Sequence, residues 1–261
     1  MVADPQQSGW ALFAPEPVTI AWAQKARGAG LRALRAPEFG DMYQCERTWF
    51  VGLDALPSGP DGDIDGSGPL RGAAVEAVRA QVGYLPALHR AQLSVVWPGY
   101  PRPREGESDA GFGYRRDRDA AHVDGVMGEG APKRRFVREP HAFILGVTLT
   151  QTDPDAAPLV IWEGSHLIMA RAFRAAFAGH APDSLSAMDV TEIYQTARRE
   201  VFDTCRRIPL HGPPGSISLV HRLTLHGVAP WAPGADAPDE GRMIAYFRPP
   251  MPGGVAAWAA L

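Results

Sequence analysis

The spacing of apolar residues changes character near residue 91. Before it, helical periodicity dominates. Ala74, Val75, Val78, Val82 and Leu85 recur every three or four positions, which predicts an amphipathic helix over 70–85. A second helix is expected over 18–35, rich in Ala, Leu and Arg, although Gly28 and Gly30 weaken its middle. From 91 onward, short β-rich runs bounded by Gly, Pro and Asp succeed one another at 91–97, 141–150, 158–162, 217–220, 223–228 and 242–248. Two helices interrupt them, at about 166–178 and 189–207. In the second, Asp189 and Glu192 have capping-box spacing, and Val190, Ile193, Tyr194, Ala197, Val201 and Cys205 form one apolar face. Such a run of strands points to a sandwich or barrel. With no internal repeat and no linker, residues 1–261 are expected to form a single domain. Residues 1–90 would be a mainly helical buttress and 91–250 a β core with helical insertions.

Composition narrows this further. The 28 glycines and 25 prolines of 261 residues call for many turns, yet 45% hydrophobic against 21% charged residues leaves ample material for a core. The punctuation gathers at 98–113, 212–215 and 227–241, which predicts long loops between strands. A net charge of −3 argues against nucleic acid as the main partner. No apolar run nears the ~18 residues of a membrane span. The first eight residues lack the basic and apolar segments of a signal peptide. Cys45 and Cys205 are too few for a disulfide framework, so a cytoplasmic location is expected and neither is read as a nucleophile.

Candidate chemistry comes from acidic and histidine patterns. Asp61-Gly-Asp63-Ile-Asp65-Gly66 imitates the first half of a calcium loop, but the twelfth position, which needs a bidentate Glu, is Gly72; an acidic solvated loop is the better reading. His122-Val-Asp124 is more informative. On an extended strand, residues i and i+2 point to the same side, so an imidazole and a carboxylate share one target. That pair suits a first-row divalent metal lacking one more facial ligand. His226, followed by Gly227, is the candidate third, whereas His221 sits inside an apolar run and reads as a core histidine. Arg242 opens a late strand and offers a two-pronged fork for a carboxylate.

These features carry a resemblance. From about residue 91 to 250 the chain resembles the non-haem iron(II), 2-oxoglutarate-dependent dioxygenases, in particular their phytanoyl-CoA dioxygenase-like branch. The motifs are His122-Val-Asp124, Pro158-Leu-Val-Ile-Trp-Glu-Gly-Ser-His166, Leu223-Thr-Leu-His226-Gly227 and Arg242, in that order. The resemblance implies a mainly β fold with flanking helices, a double-stranded β-helix (jelly-roll, cupin-like barrel). It implies Fe(II) held by His122, Asp124 and His226, and 2-oxoglutarate held at its distal carboxylate by Arg242. It also implies oxidation, most often hydroxylation, of a small-molecule substrate with molecular oxygen as co-reactant. Asp124 disfavours the halogenase variant, which lacks that carboxylate.

Departures from the family are specific. The interval from His226 to Arg242 is long, Gly215-Ser216 replaces a Gly-Asp pair, and residues 1–90 match no known pattern. Arg248, on the alternating face of Arg242, and Arg222 are reserve carboxylate ligands. Gln92 and Ser94 share a strand face and are candidates to line the cosubstrate pocket, as is Tyr114; a polar edge is the competing reading. Arg115, Arg116, Arg118, Lys133, Arg134, Arg135 and Arg138 flank the metal motif. They point either to an anionic substrate or to local pairing with Asp117, Asp119 and Glu139. Trp97 and Trp231 are expected beside the mouth. His166 is expected to order a loop, His141 and His211 to be structural, and His89 and His180 to be exposed. Two other functions stay open: a metal-dependent barrel enzyme without 2-oxoglutarate, and a non-catalytic small-molecule-binding barrel. The oligomeric state is left undetermined.

Overall fold

The structure, a computed structural model, describes residues 5–88 and 90–260. The exposure expected for His89 and the first four residues of the leader reading lie outside the described residues. Helices are α1 (Pro5–Ser8), α2 (Pro17–Ala33), α3 (Ala73–Val82), α4 (Asp109–Asp117), α5 (Ser165–Phe177), α6 (Thr191–Thr204) and α7 (Gly254–Ala259). Strands are β1 (Trp10–Phe13), β2 (Tyr43–Gln44), β3 (Trp49–Gly52), β4 (Gln92–Val96), β5 (Val126–Glu129) and β6 (Arg134–Val137). They continue with β7 (Phe143–Thr148), β8 (Leu159–Trp162), β9 (Arg207–Leu210), β10 (Ile217–His221), β11 (His226–Val228) and β12 (Arg242–Phe247).

Antiparallel pairing builds a seven-stranded sheet, β1-β10-β7-β12-β4-β3-β2, a three-stranded sheet, β11-β8-β9, and the hairpin β5-β6. The segment at His122 adds itself to β11 through a reciprocal backbone pair: His122 N–H donates to the His226 carbonyl at 2.8 Å, and His226 N–H donates back at 3.0 Å. From β4 onward the chain therefore alternates between sheets. It visits the large one at β4, the small one at His122, then β7 (large), β8 and β9 (small), β10 (large), β11 (small) and β12 (large).

Period-2 alternation explains the layers. Odd positions on β4, β7 and β12, such as Leu93, Leu145 and Met243, pack outward beneath Trp22, Ala26, Val75 and Val78 of α2 and α3. Even positions such as Ile144, Ile244 and Tyr246 turn inward, meeting Leu159, Ile161 and Leu210 of the small sheet. The small sheet's other face, with Val160 and Trp162, is covered by Met169 and Phe173 of α5 and Tyr194 and Val201 of α6. Both faces of the central strands are covered, so these strands read as unbroken apolar runs.

Several expectations need correction. Residues 5–90 are less helical than expected: α2 and α3 are present, but β1 joins β10 at one edge of the large sheet, and β3 and β2 extend it beyond β4. Four-residue strands give too little alternation to register in the sequence. Residues 223–225 are not strand, a turn at 222–223 intervening after β10, so only His226–Val228 of this run is extended in a sheet. Helix α6 starts at Thr191, because the Asp189 carboxylate accepts the Thr191 N–H (2.9 Å) from outside the helix. Ile193 lies exposed, off the buried face, and Cys205 is half-buried past the helix end. Helix α4 and the β5-β6 hairpin were not foreseen. In the acidic loop, Asp63 accepts the Gly68 N–H (2.8 Å), Asp61 accepts the Asp63 N–H (3.2 Å) and Asp65 pairs with Arg32, so its carboxylates shape turns.

Candidate active site

The metal motif is set by backbone and buried side chains together. Asp119 and Ala120 both adopt left-handed backbone conformations (φ 55° and 53°), which non-glycine residues enter at a cost of about 1 kcal/mol or more each. The turn is clamped: Arg207 grips Asp119 with two parallel hydrogen bonds (2.7 and 2.9 Å), and the Asp119 carbonyl accepts the Val228 N–H at 3.0 Å. Between the two ligand residues, the Tyr194 hydroxyl accepts the Val123 N–H at 3.1 Å and the Val123 side chain is buried. His122 and Asp124 are thereby turned to the opposite side. Gly125 follows at φ +84°, where a Cβ would lie 2.2 Å from the Glu139 carbonyl oxygen, so only glycine fits.

Three ligand atoms converge. Asp124 Oδ1 lies 3.2 Å from His122 Nε2 and 3.7 Å from His226 Nε2, with one ligand atom from each residue all within 4.8 Å of one another. Octahedral bonds of about 2.1 Å put neighbouring ligand atoms about 3 Å apart, close to this spacing. The tautomers suit a metal. His122 Nδ1 lies 2.9 Å from the Ala120 carbonyl, and His226 Nδ1 lies 2.9 Å from the Thr224 carbonyl. Each Nδ1 must donate there, so a ring that gives up its other proton offers the Nε2 lone pair to a metal beside Asp124. Burial alone would raise the Asp124 carboxyl, but His226, His122 and Arg248 outweigh it and hold it well below its ordinary value. Asp124 and His226 are buried, while His122 is half exposed toward the opening.

The triad faces a cavity of about 180 Å³ between the two sheets. Gln92 and Ser94, read from sequence as one strand face, both line it. Arg248 also lines it; its Nη2 donates to Gln92 Oε1 at 2.6 Å, and its Nη1 approaches Asp124 Oδ2 at 3.5 Å, a long contact. Arg242 sits at the far end of the same inward face of β12, with Ile244 and Tyr246 between. It is buried, and neither Nη atom makes a hydrogen bond. Burial lowers its pKa, with Tyr246 and Tyr100 acting in the opposite sense. Arg242 borders a smaller pocket of about 20 Å³ instead of the main one.

Other expected positions fall elsewhere. Arg222 is spent on the carbonyls of Trp258 (2.8 Å) and Ala260, beside α7 and away from the cavity. Tyr114 also lies outside the cavity lining, donating to the Ala121 carbonyl (2.7 Å) and so bracing the metal strand from behind. His221 is buried in the core, its pKa lowered to about 3 by burial and by Arg222 and His166. His166 Nε2 meets the Gln6 carbonyl (3.0 Å) and His211 Nε2 the Thr152 carbonyl (2.9 Å), both structural contacts as expected. His141 is largely buried and His180 exposed.

The flanking arginines are spent on local contacts. Arg115 pairs with Glu107, Arg116 with Asp117, Arg134 with Asp189, and Arg138 with Glu129. Arg118 lies over the Phe202 ring. Trp97 stacks on Tyr43 and Trp231 donates to the Ala235 carbonyl (3.1 Å), neither on the cavity wall. The wall's aromatics are Tyr246 and Trp49, and Trp49 is followed by Val51 and Leu53, from the segment that matched no pattern. Their i, i+2 alternation was the available signal, but it spans too few residues to register.

No protein-family model and no curated protein matches the sequence. Solved structures similar to it include the non-haem alpha-ketoglutarate-dependent carbocyclase SnoK from nogalamycin biosynthesis. That match is 12% identical, covering 94% of this chain and 81% of SnoK, with a TM-score of 0.49. AviO1 from Streptomyces viridochromogenes Tue57 is 15% identical, covering 95% of both chains, with a TM-score of 0.49. EctD from S. alaskensis with bound Fe is 14% identical, covering 97% of this chain and 78% of EctD, with a TM-score of 0.46.

Proposed function

We propose that this chain is a non-haem Fe(II)- and 2-oxoglutarate-dependent oxygenase that oxidises, most simply by hydroxylation, a small organic substrate. The observation that carries this reading is the convergence of His122 Nε2, His226 Nε2 and Asp124 Oδ1 on one point, with both Nδ1 atoms tied to backbone carbonyls. Two neutral imidazoles and one carboxylate form the facial donor set that suits iron(II) and leaves positions open. The buried Arg242 guanidinium, lacking any partner at either Nη, fits the distal carboxylate of 2-oxoglutarate. It also favours this reading over a barrel enzyme that dispenses with the cosubstrate.

When bound, iron and 2-oxoglutarate supply the oxidising chemistry, with oxygen consumed and succinate and carbon dioxide released. The chain's own residues prepare the site. Asp124 is kept ionised, and the two imidazoles are held in orientation by their Nδ1 contacts to the Ala120 and Thr224 carbonyls. Ile144, Leu159 and Val220 keep the cavity wall apolar, which excludes water from the reacting region. Gln92 and Ser94 supply polar contacts from β4.

The alternation of strands between two facing sheets supports a double-stranded β-helix, a jelly-roll of the cupin-like kind. The four ordered motifs support the phytanoyl-CoA dioxygenase-like branch. Residues 1–261 are taken as one domain, because α2 and α3 pack on the same large sheet that faces the site. A cytoplasmic location accompanies this reading, in keeping with two unpaired cysteines. No helix among the described residues is long and apolar enough to cross a membrane.

Anaerobic titration with Fe(II) and 2-oxoglutarate tests the proposal. The wild type is expected to develop a weak visible charge-transfer band that His122→Ala and Asp124→Ala both lose while remaining folded. Substrate-independent succinate formation retained in both variants would overturn the ligand assignment.

A further inference from the structure

We propose that the inward face of β3 is the substrate track, that Trp49 closes its inner end, and that the substrate is a small uncharged molecule with an apolar tail. This inference rests on the oxygenase reading and names the substrate class for that same site. Strand register supplies the first support. Arg242, Val96 and Trp49 form one row across the large sheet, and Ile244, Ser94 and Val51 form the next. Directly opposed residues share a face, so Trp49 and Val51 turn inward together with the inward residues of β12. Because β3 and β12 each pair antiparallel with β4, they run in the same direction, about 10 Å apart. Cosubstrate held by Arg242 lies along β12, which leaves β3 as a separate, parallel track to the same metal. Arg248, beyond Tyr246 on that strand's path, pairs with Asp124 at 3.5 Å. The metal ligands are therefore at the Leu53 end of the β3 track, and Trp49 is at the other. Leu53 and the His122 side chain are both half exposed, so the opening lies at the metal end.

Trp49 is fixed where it stands. Its Nε1 donates to Ser94 Oγ at 3.2 Å, its ring meets that of buried Tyr100 edge-on at 5.7 Å, and the Arg104 guanidinium lies over it at 5.1 Å. The bond to Ser94 tips the indole one row toward the metal, which shortens the track it closes. Polarity supplies the second support. Charged groups on the cavity wall already answer one another: Asp124 is met by both imidazoles and by Arg248, and Arg248 also donates to Gln92. Along the track itself stand Trp49, Val51 and Leu53, with Leu159 and Val228 of the small sheet lining the same cavity. An ion drawn onto such a wall loses its water and meets no opposite charge there, which disfavours a charged tail. The cavity, about 180 Å³, is below the roughly 300–1,000 Å³ of typical ligand pockets, which favours a small molecule. A substrate seated here enters past Leu53, keeps its reacting carbon beside the metal and points its tail at Trp49.

The test uses full-length protein loaded anaerobically with Fe(II) and saturating 2-oxoglutarate. The probes are 1-alkanols of rising chain length, with alkanoates and alkylammonium ions of the same lengths as charged counterparts. Binding is read by calorimetry and by perturbation of the visible band, without turnover. In the wild type, alkanol affinity is expected to rise about fourfold per methylene up to a limiting length and then to stop rising. Both ions are expected to bind at least about tenfold more weakly than the alkanol of equal length. Trp49→Ala is expected to move the limit to longer chains. Val51→Phe, which adds volume to the cavity and removes no packing, is expected to move it to shorter ones. An unmoved limit in Val51→Phe overturns the β3 track even where Trp49→Ala fails to fold, and an unmoved limit in folded Trp49→Ala overturns the role of Trp49. Ions that bind as tightly as alkanols, or alkanols that do not bind at all to protein with normal 2-oxoglutarate uptake, overturn this inference alone. Failure of the wild type to take up 2-oxoglutarate overturns the oxygenase reading and this one with it.

Discussion

Replacing Arg242 with methionine is expected to stabilise the protein without ligands and to destroy its response to 2-oxoglutarate. Arg242 is only 4% exposed, and neither Nη atom donates to anything. A buried donor left without a partner costs about 1–3 kcal/mol. Methionine is of similar length and carries no donor, so that penalty disappears. The slightly smaller side chain leaves a gap of roughly 10–20 Å³, which at about 24 cal/mol per Å³ returns less than ~0.5 kcal/mol. The net expectation is a gain of about 1–2 kcal/mol, or a rise in Tm of roughly 2–6 °C. Ligand reverses the order. At a 2-oxoglutarate concentration one hundred times its Kd, the wild type gains about 2.7 kcal/mol by mass action, whereas the variant gains nothing. Scanning calorimetry of both proteins, metal-loaded, with and without 2-oxoglutarate, should therefore show the two stabilities crossing. A variant less stable than wild type by 1 kcal/mol or more without ligand, or one that keeps the full ligand shift, would refute the reasoning.

Two further outcomes follow from packing and from charge. Gly227→Ala would place a Cβ 2.2 Å from the Asp119 carbonyl oxygen and 3.3 Å from the Ala121 Cα, driving β11 from the His122 segment. A loss of about 1–3 kcal/mol in urea unfolding is expected, with weaker metal binding in parallel; unchanged metal affinity would show that the two strands need not touch. Glu107→Gln tests the buried pair with Arg115. Burial alone would raise the Glu107 carboxyl, but the Arg115 hydrogen bond, the Arg104 backbone bond and both positive charges hold it below its ordinary value of 4.5. A group lowered by folding contributes stability above its unfolded value and loses it as pH falls through the folded one. The difference between wild type and Glu107→Gln should therefore be about 1–2 kcal/mol at neutral pH and shrink in the acid range below 4.5. A difference that does not change with pH would refute the assignment.

The chemistry was more legible in sequence than the architecture around it. His122 and Asp124 could be paired because strand period is local, and the structure brings His226 to them. Gln92 and Ser94 were placed on one face by the same rule. What period cannot supply is which strands become neighbours. Trp49, Val51 and Leu53 reach the cavity only because β3 pairs with β4 across a long loop and helix α3. Of the two readings of the flanking arginines, the structure favours pairing: Arg116 meets the neighbouring Asp117, legible in the sequence, whereas Asp189 reaches Arg134 from a distant segment and could not be read there. Alternation put Arg248 on the same face as Arg242, as its reserve. Their depth along one strand separates them, one beside the metal ligands and one buried among silent neighbours.

The reciprocal backbone bond between His122 and His226 has a consequence for the protein's biogenesis. During synthesis, His122 and Asp124 leave the ribosome well before the third ligand exists. Two ligands on a flexible nascent chain hold a divalent ion poorly, and the bridge that fixes their direction needs β11. A chain ending before β11 would lack both His226 and the backbone pair that fixes the direction of His122, so the three side chains can converge only once β11 has been made.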